Sequence, residues 1–271
     1  MKHEVDVVVA GGGSNVCGLA GALYTIAARR RVARVAGTSA GGLAALALAF
    51  GVPELRFRSQ LEGSLDGNRL LDGSAFGFAR RYGWCKGEAL RTAAGILVGE
   101  HTRLGDSKMP VAVVVADLYE RRPRILSSWG TPDVFAVDAA VATAAIPIVF
   151  QAQKIRGIGN DNLYVDGGTV KNAAFDLFDD LPSRPTVGVR PRPGRTFARP
   201  IASLGEYAKA MGGLLLWSAD NAHGSTKSAS LVVDVDAEDG LDFDLSPEDV
   251  RRRWAAGIAA AGAALPIGAA S

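Results

Sequence analysis

A serine lies among small residues in the segment Gly37-Thr38-Ser39-Ala40-Gly41. A short apolar stretch precedes this segment, and an apolar, alanine-rich run, Gly42 to Phe50, follows it. A G-x-S-x-G pattern between a strand and a helix is typical of a sharp turn that exposes the serine hydroxyl at a helix N-terminus, where Ser39 can act as a nucleophile. The pentapeptide alone is equally compatible with glycine-rich turns that serve packing or phosphate binding.

The position of this motif in the chain narrows the choice of fold. Only one obvious strand–helix unit precedes Ser39, whereas several strands precede the nucleophile turn of α/β-hydrolases. The position therefore argues against the α/β-hydrolase fold and favours a serine hydrolase of a different fold.

A glycine-rich loop belongs to that first unit. Val5 to Ala10 is β-branched and almost continuously apolar, which predicts a buried strand. Gly11-Gly12-Gly13-Ser14-Asn15 follows, and Cys17 to Tyr24 has the small and apolar residues of a helix. A strand that runs through glycines into a helix start presents free backbone N–H groups, which suit either a cofactor pyrophosphate or the oxyanion of an acyl-transfer intermediate.

The pyrophosphate alternative fits the sequence less well. A G-x-G-x-x-G fingerprint that begins at Gly11 would place its third glycine at position 16, which is Val16. The acidic residue expected about 20 residues further on is also missing, because that stretch reads Arg29-Arg30-Arg31. A dinucleotide site therefore stays open only as a minor alternative.

Taken together, the motifs show that the chain resembles the patatin-like phospholipases, which are lipid acyl hydrolases that use a Ser-Asp dyad without histidine. The family's glycine-rich oxyanion loop is matched by Gly11 to Asn15, and its G-x-S-x-G motif by Gly37 to Gly41. Its Asp-Gly-Gly motif is matched by Asp166-Gly167-Gly168, which the helix-to-proline block Ala142 to Phe150 precedes and Asn172 follows. The three motifs occur in the family's order, and the resemblance covers about residues 4–190.

The resemblance implies a fold, a substrate class and a set of site residues. The expected fold is a single three-layer α/β/α domain over residues 1–271, with a mostly parallel central sheet and helices on both faces. The implied reaction is hydrolysis of carboxylic ester bonds in lipids or phospholipids, without a metal or cofactor. Ser39 would be the nucleophile and Asp166 the base. The implied oxyanion-hole residues are Gly11, Gly12, Gly13 and Ser14, and the implied supporting residues are Gly37, Gly41, Gly167 and Gly168.

Two features keep alternatives open. The family loop usually continues with a basic residue and a glycine, and these two positions are Asn15 and Val16 here. Because Val16 restricts the backbone torsions, a non-catalytic binding or regulatory module on the same fold is an alternative to the enzyme. A second alternative is a Ser-Asp-His triad with His223 as the base, although no predicted strand precedes His223 as it would in such a triad.

Composition sets further expectations about partners and location. The chain has 271 residues and a net charge of +2, so no bulk affinity for nucleic acid is expected. Cys17 and Cys85 match no metal or redox spacing, and the apolar stretch before the glycines is too short for a signal peptide. Cytoplasmic residence is the resulting expectation, and the sequence does not indicate an oligomeric state.

Several further segments predict the surroundings of the site. Val111 to Ala116 predicts a central strand with a hairpin partner at Arg124 to Leu126, and Thr131 and Pro132 predict the cap of a helix over 134–145. Other short strands are predicted over 186–189 and 231–235, and helices over 203–221 and 254–271.

Three segments have two interpretations each. Residues 52–100 form either a lid or acyl-chain wall beside the site, or ordinary core packing. The arginine clusters at 29–31 and 251–253 are either solvated helix ends or a transient contact surface for anionic membrane lipids.

Overall fold

The computed structural model describes residues 3–65, 83–180, 183–192 and 228–266, together with isolated positions between 201 and 214. His223 and most of the helix predicted over 203–221 lie outside the described residues.

Strands and helices alternate along the first part of the chain. The helices are α1 Val16–Arg29, α2 Ala40–Ala49, α3 Glu54–Ser64, α4 Glu88–Val98, α5 Ala136–Thr143 and α6 Pro247–Ala264. The strands are β1 Glu4–Val9, β2 Arg31–Thr38, β3 Gly83–Cys85, β4 Val111–Asp117, β5 Arg122–Ser127, β6 Ile148–Phe150, β7 Tyr164–Asp166, β8 Thr186–Pro191 and β9 Leu231–Val235. Short 3₁₀ turns lie at Gly13–Asn15, Leu104–Asp106, Gly167–Thr169 and Phe175–Phe178.

Within the described residues the main sheet has seven strands, of which six follow the order β5-β4-β2-β1-β8-β9. Strands β4, β2, β1, β8 and β9 run parallel to one another, whereas β5 and β7 both pair antiparallel with β4. The predicted fold class, a mixed α/β structure with a mostly parallel central sheet flanked by helices, is confirmed. Ligand sites in such sheets form at the edge where the carboxyl ends of the parallel strands meet.

The valine-rich strand β1 lies inside the sheet, between β2 and β8, and both of its faces are covered. Val7 and Val9 pack in the core formed with the helices, whereas Val8 packs on the opposite face with Phe175 and Phe178. A strand that is buried on both faces needs apolar residues at successive positions, which explains the continuous apolar run in the sequence.

Helix α6 packs closely along α1 through small residues. A Cβ on Gly257 would overlap the carbonyl oxygen of Gly18, and one on Gly21 would overlap that of Trp254. The Trp254 ring lies with its centroid 6.0 Å from that of Tyr24. The helix begins earlier than the predicted residue 254, because a capping box between Ser246 and Asp249 starts it at Pro247.

The predicted start of α5 is wrong. The helix begins at Ala136, after Phe135 as its N-cap residue, and Thr131 and Pro132 do not cap it. Thr131 Oγ1 instead accepts a hydrogen bond from Ser127 N at 2.8 Å and so closes the turn after β5. Threonine hydroxyls bond local backbone groups in turns as readily as at helix caps, and here the turn prevails.

Gly257→Ala should destabilise the protein, although alanine favours an isolated helix over glycine. The added methyl group would overlap the backbone of α1, and overpacking of this kind lowers the free energy of unfolding by about 1–3 kcal/mol. Gly63→Ala is the matched control, because Gly63 lies in α3 with no atom within 4 Å of its Cβ position. Thermal unfolding should give a lower Tm for Gly257→Ala only, and equal Tm values would contradict the tight α1–α6 contact.

Candidate active site

Ser39 occupies a strained turn between β2 and α2. Its backbone torsions are φ 53° and ψ −126°, and a positive φ is uncommon for residues other than glycine. The turn brings backbones into close contact, since a Cβ on Gly37 would overlap the backbone of Gly41, and one on Gly41 would overlap the carbonyl of Val9. The motif therefore forms a strained turn between a strand and a helix, with Ser39 buried at the N-cap position of α2.

The register of the sheet brings Asp166 beside Ser39. Thr38, the last residue of β2, is the partner of Val114 on β4, and Asp166 on β7 is the partner of the next residue, Val115. Because β5 pairs with the other edge of β4, β2 and β7 share one edge and meet end to end. Ser39 and Asp166 therefore meet although they are 127 positions apart in the sequence.

Ser39 and Asp166 form a buried, hydrogen-bonded pair. Ser39 Oγ donates to Asp166 Oδ2 at 2.6 Å, and Gly168 N donates to Asp166 Oδ1 at 2.7 Å. The Asp166 side chain is fully buried. Burial raises the pKa of the Asp166 carboxyl to about 7, against the opposing effect of the hydrogen bonds from Ser39 and Gly168. A carboxylate whose proton affinity suits neutral pH, next to a serine hydroxyl, can act as a general base.

Thr143 connects the serine turn to the sheet. Ser39 N donates to Thr143 Oγ1 at 3.0 Å, and Thr143 Oγ1 donates to the carbonyl oxygen of Val114 at 2.6 Å. Sequence reasoning gave this residue no role. The available indication was that Thr143 and Asp138 are the polar residues of an otherwise apolar, buried helix, where polar side chains need hydrogen-bond partners.

The glycine-rich loop lies directly against Ser39. A Cβ on Gly11 would be 3.0 Å from Ser39 Cβ and would overlap the side-chain oxygen of Asn172. Gly11 N donates to Asn172 Oδ1 at 3.1 Å. Asn172 therefore anchors the start of the loop to the segment that follows Asp166.

The loop leaves two of its four predicted donors available. The N–H group of Gly11 is occupied by its asparagine partner, and Ser14 N donates to the carbonyl oxygen of Gly240 at 2.8 Å. None of the described residues accepts a hydrogen bond from the N–H group of Gly12 or Gly13. Of the four residues predicted to form the oxyanion hole, only Gly12 and Gly13 therefore remain as candidate N–H donors among the described residues.

The two residues that depart from the family pattern fit this loop. Asn15 Nδ2 donates to the carbonyl oxygens of Gly12 and Glu238, and Asn15 Oδ1 accepts from Glu238 N, at 3.0 Å in each case. Val16 has φ −45° and ψ −35°, which are right-handed helical torsions open to any residue. The position of Val16 therefore does not require glycine, and Asn15 holds the loop in place.

An apolar pocket extends from Ser39. Helices α3 and α4 form much of its wall, so part of the segment 52–100 lines the site. Gln60 and Ser64 add polar side chains to a lining that is otherwise mostly apolar. The apolar wall includes Phe57, Leu61, Leu90, Ala94, Leu97 and Phe150.

The two arginine clusters make contacts within the protein. Arg29 donates to the carbonyl oxygens of Gly262 and residue 265 at the end of α6, at 2.9 Å and 2.6 Å. Arg251 pairs with Glu62 at 3.2 Å, and Arg252 also pairs with acidic side chains. This pairing favours a structural role for Arg29, Arg251 and Arg252 over a free cationic patch.

Other candidate groups lie elsewhere or are not found. His3 and His101 are exposed, and His223 lies outside the described residues. Over the part of the chain that the structure describes, no group of three or more His, Cys, Asp and Glu side chains is placed to hold a metal ion. Among these same residues, no helix combines the length and apolar character that crossing a membrane requires.

Comparison with known proteins gives related sequences. The family profile described as patatin-like phospholipase matches residues 7–179. The uncharacterized protein YqhO of Bacillus subtilis (strain 168) is 30% identical over 247 residues, which cover 83% of this chain and 84% of that protein. The cGAMP-activated phospholipase of Vibrio cholerae is 29% identical over 153 residues, which cover 51% of this chain and 42% of that protein.

A solved structure with the same fold is VipD from Legionella pneumophila. It aligns with a TM-score of 0.56 at 13% sequence identity and covers 98% of this chain and 67% of that one. At such low identity the likeness shows a shared fold alone. The family profile covers more than half of this chain and includes all three motifs. The chain therefore belongs to the patatin-like phospholipase family.

Proposed function

We propose that this protein is a serine esterase that cleaves carboxylic ester bonds in lipids through a Ser39–Asp166 dyad and an acyl-enzyme. Its family is one of lipid hydrolases. The observation that carries the dyad is the buried 2.6 Å hydrogen bond from Ser39 Oγ to Asp166 Oδ2.

In the first half of the proposed reaction, Ser39 becomes acylated. Ser39 Oγ attacks the carbonyl carbon of the ester while its proton passes to Asp166 Oδ2. Negative charge develops on the carbonyl oxygen, and the N–H groups of Gly12 and Gly13 donate hydrogen bonds to it. The bond from the carbonyl carbon to the leaving alcohol then breaks, and the alcohol takes the proton from Asp166.

In the second half, water hydrolyses the acyl-enzyme. Asp166 accepts a proton from a water molecule as the water oxygen attacks the acyl carbon. The same two N–H groups hold the new oxyanion. Ser39 then leaves and regains the proton from Asp166, so each cycle consumes one water molecule and restores the dyad.

The pocket supports a lipid acyl chain as the substrate group. It begins at Ser39, where the acyl carbon must lie, and continues between α3 and α4 with a mostly apolar lining. Burial of an aliphatic chain in such a pocket is favourable by about 0.8 kcal/mol for each CH₂ group. The name of the Vibrio cholerae relative is that of a phospholipase, which supports phospholipids as the substrate class here.

The site geometry favours an enzyme over a binding module on the same fold. The positive φ of Ser39 and the full burial of Asp166 both destabilise the folded state. Strained backbones and perturbed carboxylates of this kind cluster at catalytic sites. The two features together, a strained serine and a buried carboxylate hydrogen-bonded to it, support a catalytic role.

Ser39→Ala should abolish hydrolysis of p-nitrophenyl esters and leave the fold intact, since it removes the nucleophile and little packing. A fluorophosphonate probe should label the wild type and not the variant. Ser107→Ala is the control, because Ser107 lies before the amino end of β4, whereas the site lies at the carboxyl ends of the parallel strands. Its hydroxyl group donates to the carbonyl oxygen of Met109. Equal labelling of wild type and Ser39→Ala would exclude Ser39 as the nucleophile.

Asp166→Asn should lower kcat by about 10²-fold or more, because it removes the proton acceptor but keeps the shape. In the wild type, kcat/KM should fall as the pH drops below about 7, since only the ionised carboxylate accepts a proton. His223→Ala should change neither result. If His223→Ala were inactive and Asp166→Asn only slower, the dyad would be wrong and a Ser-Asp-His triad would be indicated.

Asp166→Asn should also change how the stability of the protein depends on pH, because it removes the buried carboxyl group. A folded-state pKa of about 7 lies above the ordinary value of about 3.9, so the folded state binds this proton more tightly than the unfolded state. The stability that this group provides is complete below about pH 4 and is lost as the pH rises through about 7. The Tm of Asp166→Asn minus that of the wild type should therefore increase between about pH 5 and about pH 8. A constant difference would contradict the raised pKa.

Ala94→Leu should shift the substrate preference towards shorter acyl chains, because Ala94 is a buried part of the pocket wall. Comparison of kcat/KM for p-nitrophenyl butyrate and palmitate should show a fall of about tenfold or more in relative activity on the long chain. Ile96→Phe is the control, since Ile96 lies on the exposed side of the same helix. An unchanged chain-length profile in Ala94→Leu would show that this pocket does not hold the acyl chain.

A further inference from the structure

Residues 238–240, which follow β9 and are called the clasp below, hold the glycine-rich loop. Ser14 N donates to the carbonyl oxygen of Gly240 at 2.8 Å, and Ser14 Oγ donates to that of Asp239 at 3.2 Å. Asn15 exchanges two hydrogen bonds of 3.0 Å with the backbone of residue 238. The loop is therefore fixed by a segment more than 220 residues away in the sequence.

Arg253 joins the clasp to the loop from helix α6. Its side chain is 6% exposed; its Nη1 donates to Ser14 Oγ at 3.0 Å, and its Nη2 donates to Glu238 Oε2 at 3.0 Å. Ser14 Oγ thus accepts from Arg253 while it donates to the backbone of Asp239. The hydroxyl therefore uses its one donor and one of its acceptor sites to fix the loop.

The clasp and the loop also touch through their backbones. Gly13 has φ 57°, and a Cβ on it would overlap the carbonyl oxygen of Gly240. A Cβ on Gly240 would lie 2.6 Å from the carbonyl oxygen of Gly12. Any movement of the clasp would therefore move the two residues whose N–H groups are available to an oxyanion.

Stability alone does not explain a buried arginine at this position. The Nε–H group of Arg253 is buried and has no hydrogen-bond partner among the described residues. Its carboxylate partner, Glu238, is shared with Arg252. Replacement of a buried ion pair by apolar residues is often neutral or stabilising, and a buried donor without a partner is unfavourable. The contact with Ser14 gives the guanidinium a role at the site instead.

We propose that Arg253 is a positioning residue for ester hydrolysis. It acts through Ser14 Oγ and the clasp, and holds the loop so that the N–H groups of Gly12 and Gly13 meet the oxyanion. This inference rests on the proposed function. Arg253 and the clasp both lie beyond residues 7–179, which the family profile matches, so the hole is completed by a part of the chain outside that match.

The test compares kcat and KM of full-length variants on a p-nitrophenyl ester. Arg253→Met keeps an apolar stem but removes the guanidinium, and should lower kcat about tenfold or more with little change in KM, because the oxyanion exists only in the reaction. Arg253→Lys keeps a cation and should recover part of the lost kcat. Arg251→Met is the matched control, since Arg251 on the same helix pairs with Glu62 on α3 and should give a wild-type kcat.

Ser14→Ala removes the hydroxyl group but keeps the backbone N–H group, and it decides the case if Arg253→Met does not fold. It should lower kcat at an unchanged KM. The double variant with Arg253→Met should be no slower than the slower single variant, because both changes break the same contact. A wild-type kcat in folded Ser14→Ala or Arg253→Met, or additive losses in the double variant, would overturn the role of Arg253. Equal activity of Ser39→Ala and wild type would instead overturn the proposed function itself.

Discussion

The candidate site depends on where two strands end along one edge of β4. β2 ends at Thr38 opposite Val114, and β7 ends at Asp166 opposite the next residue. Two strands that share one edge of a third strand meet end to end, so the residue after β2 comes to face the last residue of β7. The carbonyl oxygen of Val114 also accepts from Thr143, which holds the backbone N–H group of Ser39. One short stretch of β4 thus positions Ser39 with its strained turn and the carboxylate of Asp166.

Two unfavourable local features are concentrated at this point. The backbone of Ser39 has a positive φ, which costs of the order of 1–3 kcal/mol, and the carboxyl group of Asp166 is removed from water, which raises its pKa to about 7. The surrounding structure is closely packed around both features. Valine-rich strands buried on both faces lie beneath the turn, and glycine contacts bring their backbones close together. Asp166 and Ser39 are therefore shielded from solvent and held in a fixed orientation, as the proposed reaction requires.

Features that are local in the sequence could be predicted, and features that join distant segments could not. Continuous apolar runs predicted β1 and β4, because a strand buried on both faces leaves that pattern. The meeting of Ser39 and Asp166 came only from the family resemblance, since neither segment encodes the register of β7 on β4. Arg253 was predicted to be part of a solvated or lipid-contacting cluster, and its burial was missed because the C-terminal helix was predicted to begin after it. The helical spacing of the buried residues of α6 distinguishes Arg253 from the two exposed arginines before it.

The amide at position 15 shows how a departure from a family pattern can be compensated elsewhere. Asn15 cross-links the loop to the clasp, and the cation near the loop is supplied by α6 instead of the loop itself. The loop leads directly into α1, and α6 packs on α1 where Gly257 meets Gly18. The contact that stabilises this helix pair therefore also carries Arg253 to the loop. Fold stability and the geometry of the proposed oxyanion hole would thus depend on the same helix packing, so a change that loosens α6 should impair the hole before it unfolds the sheet.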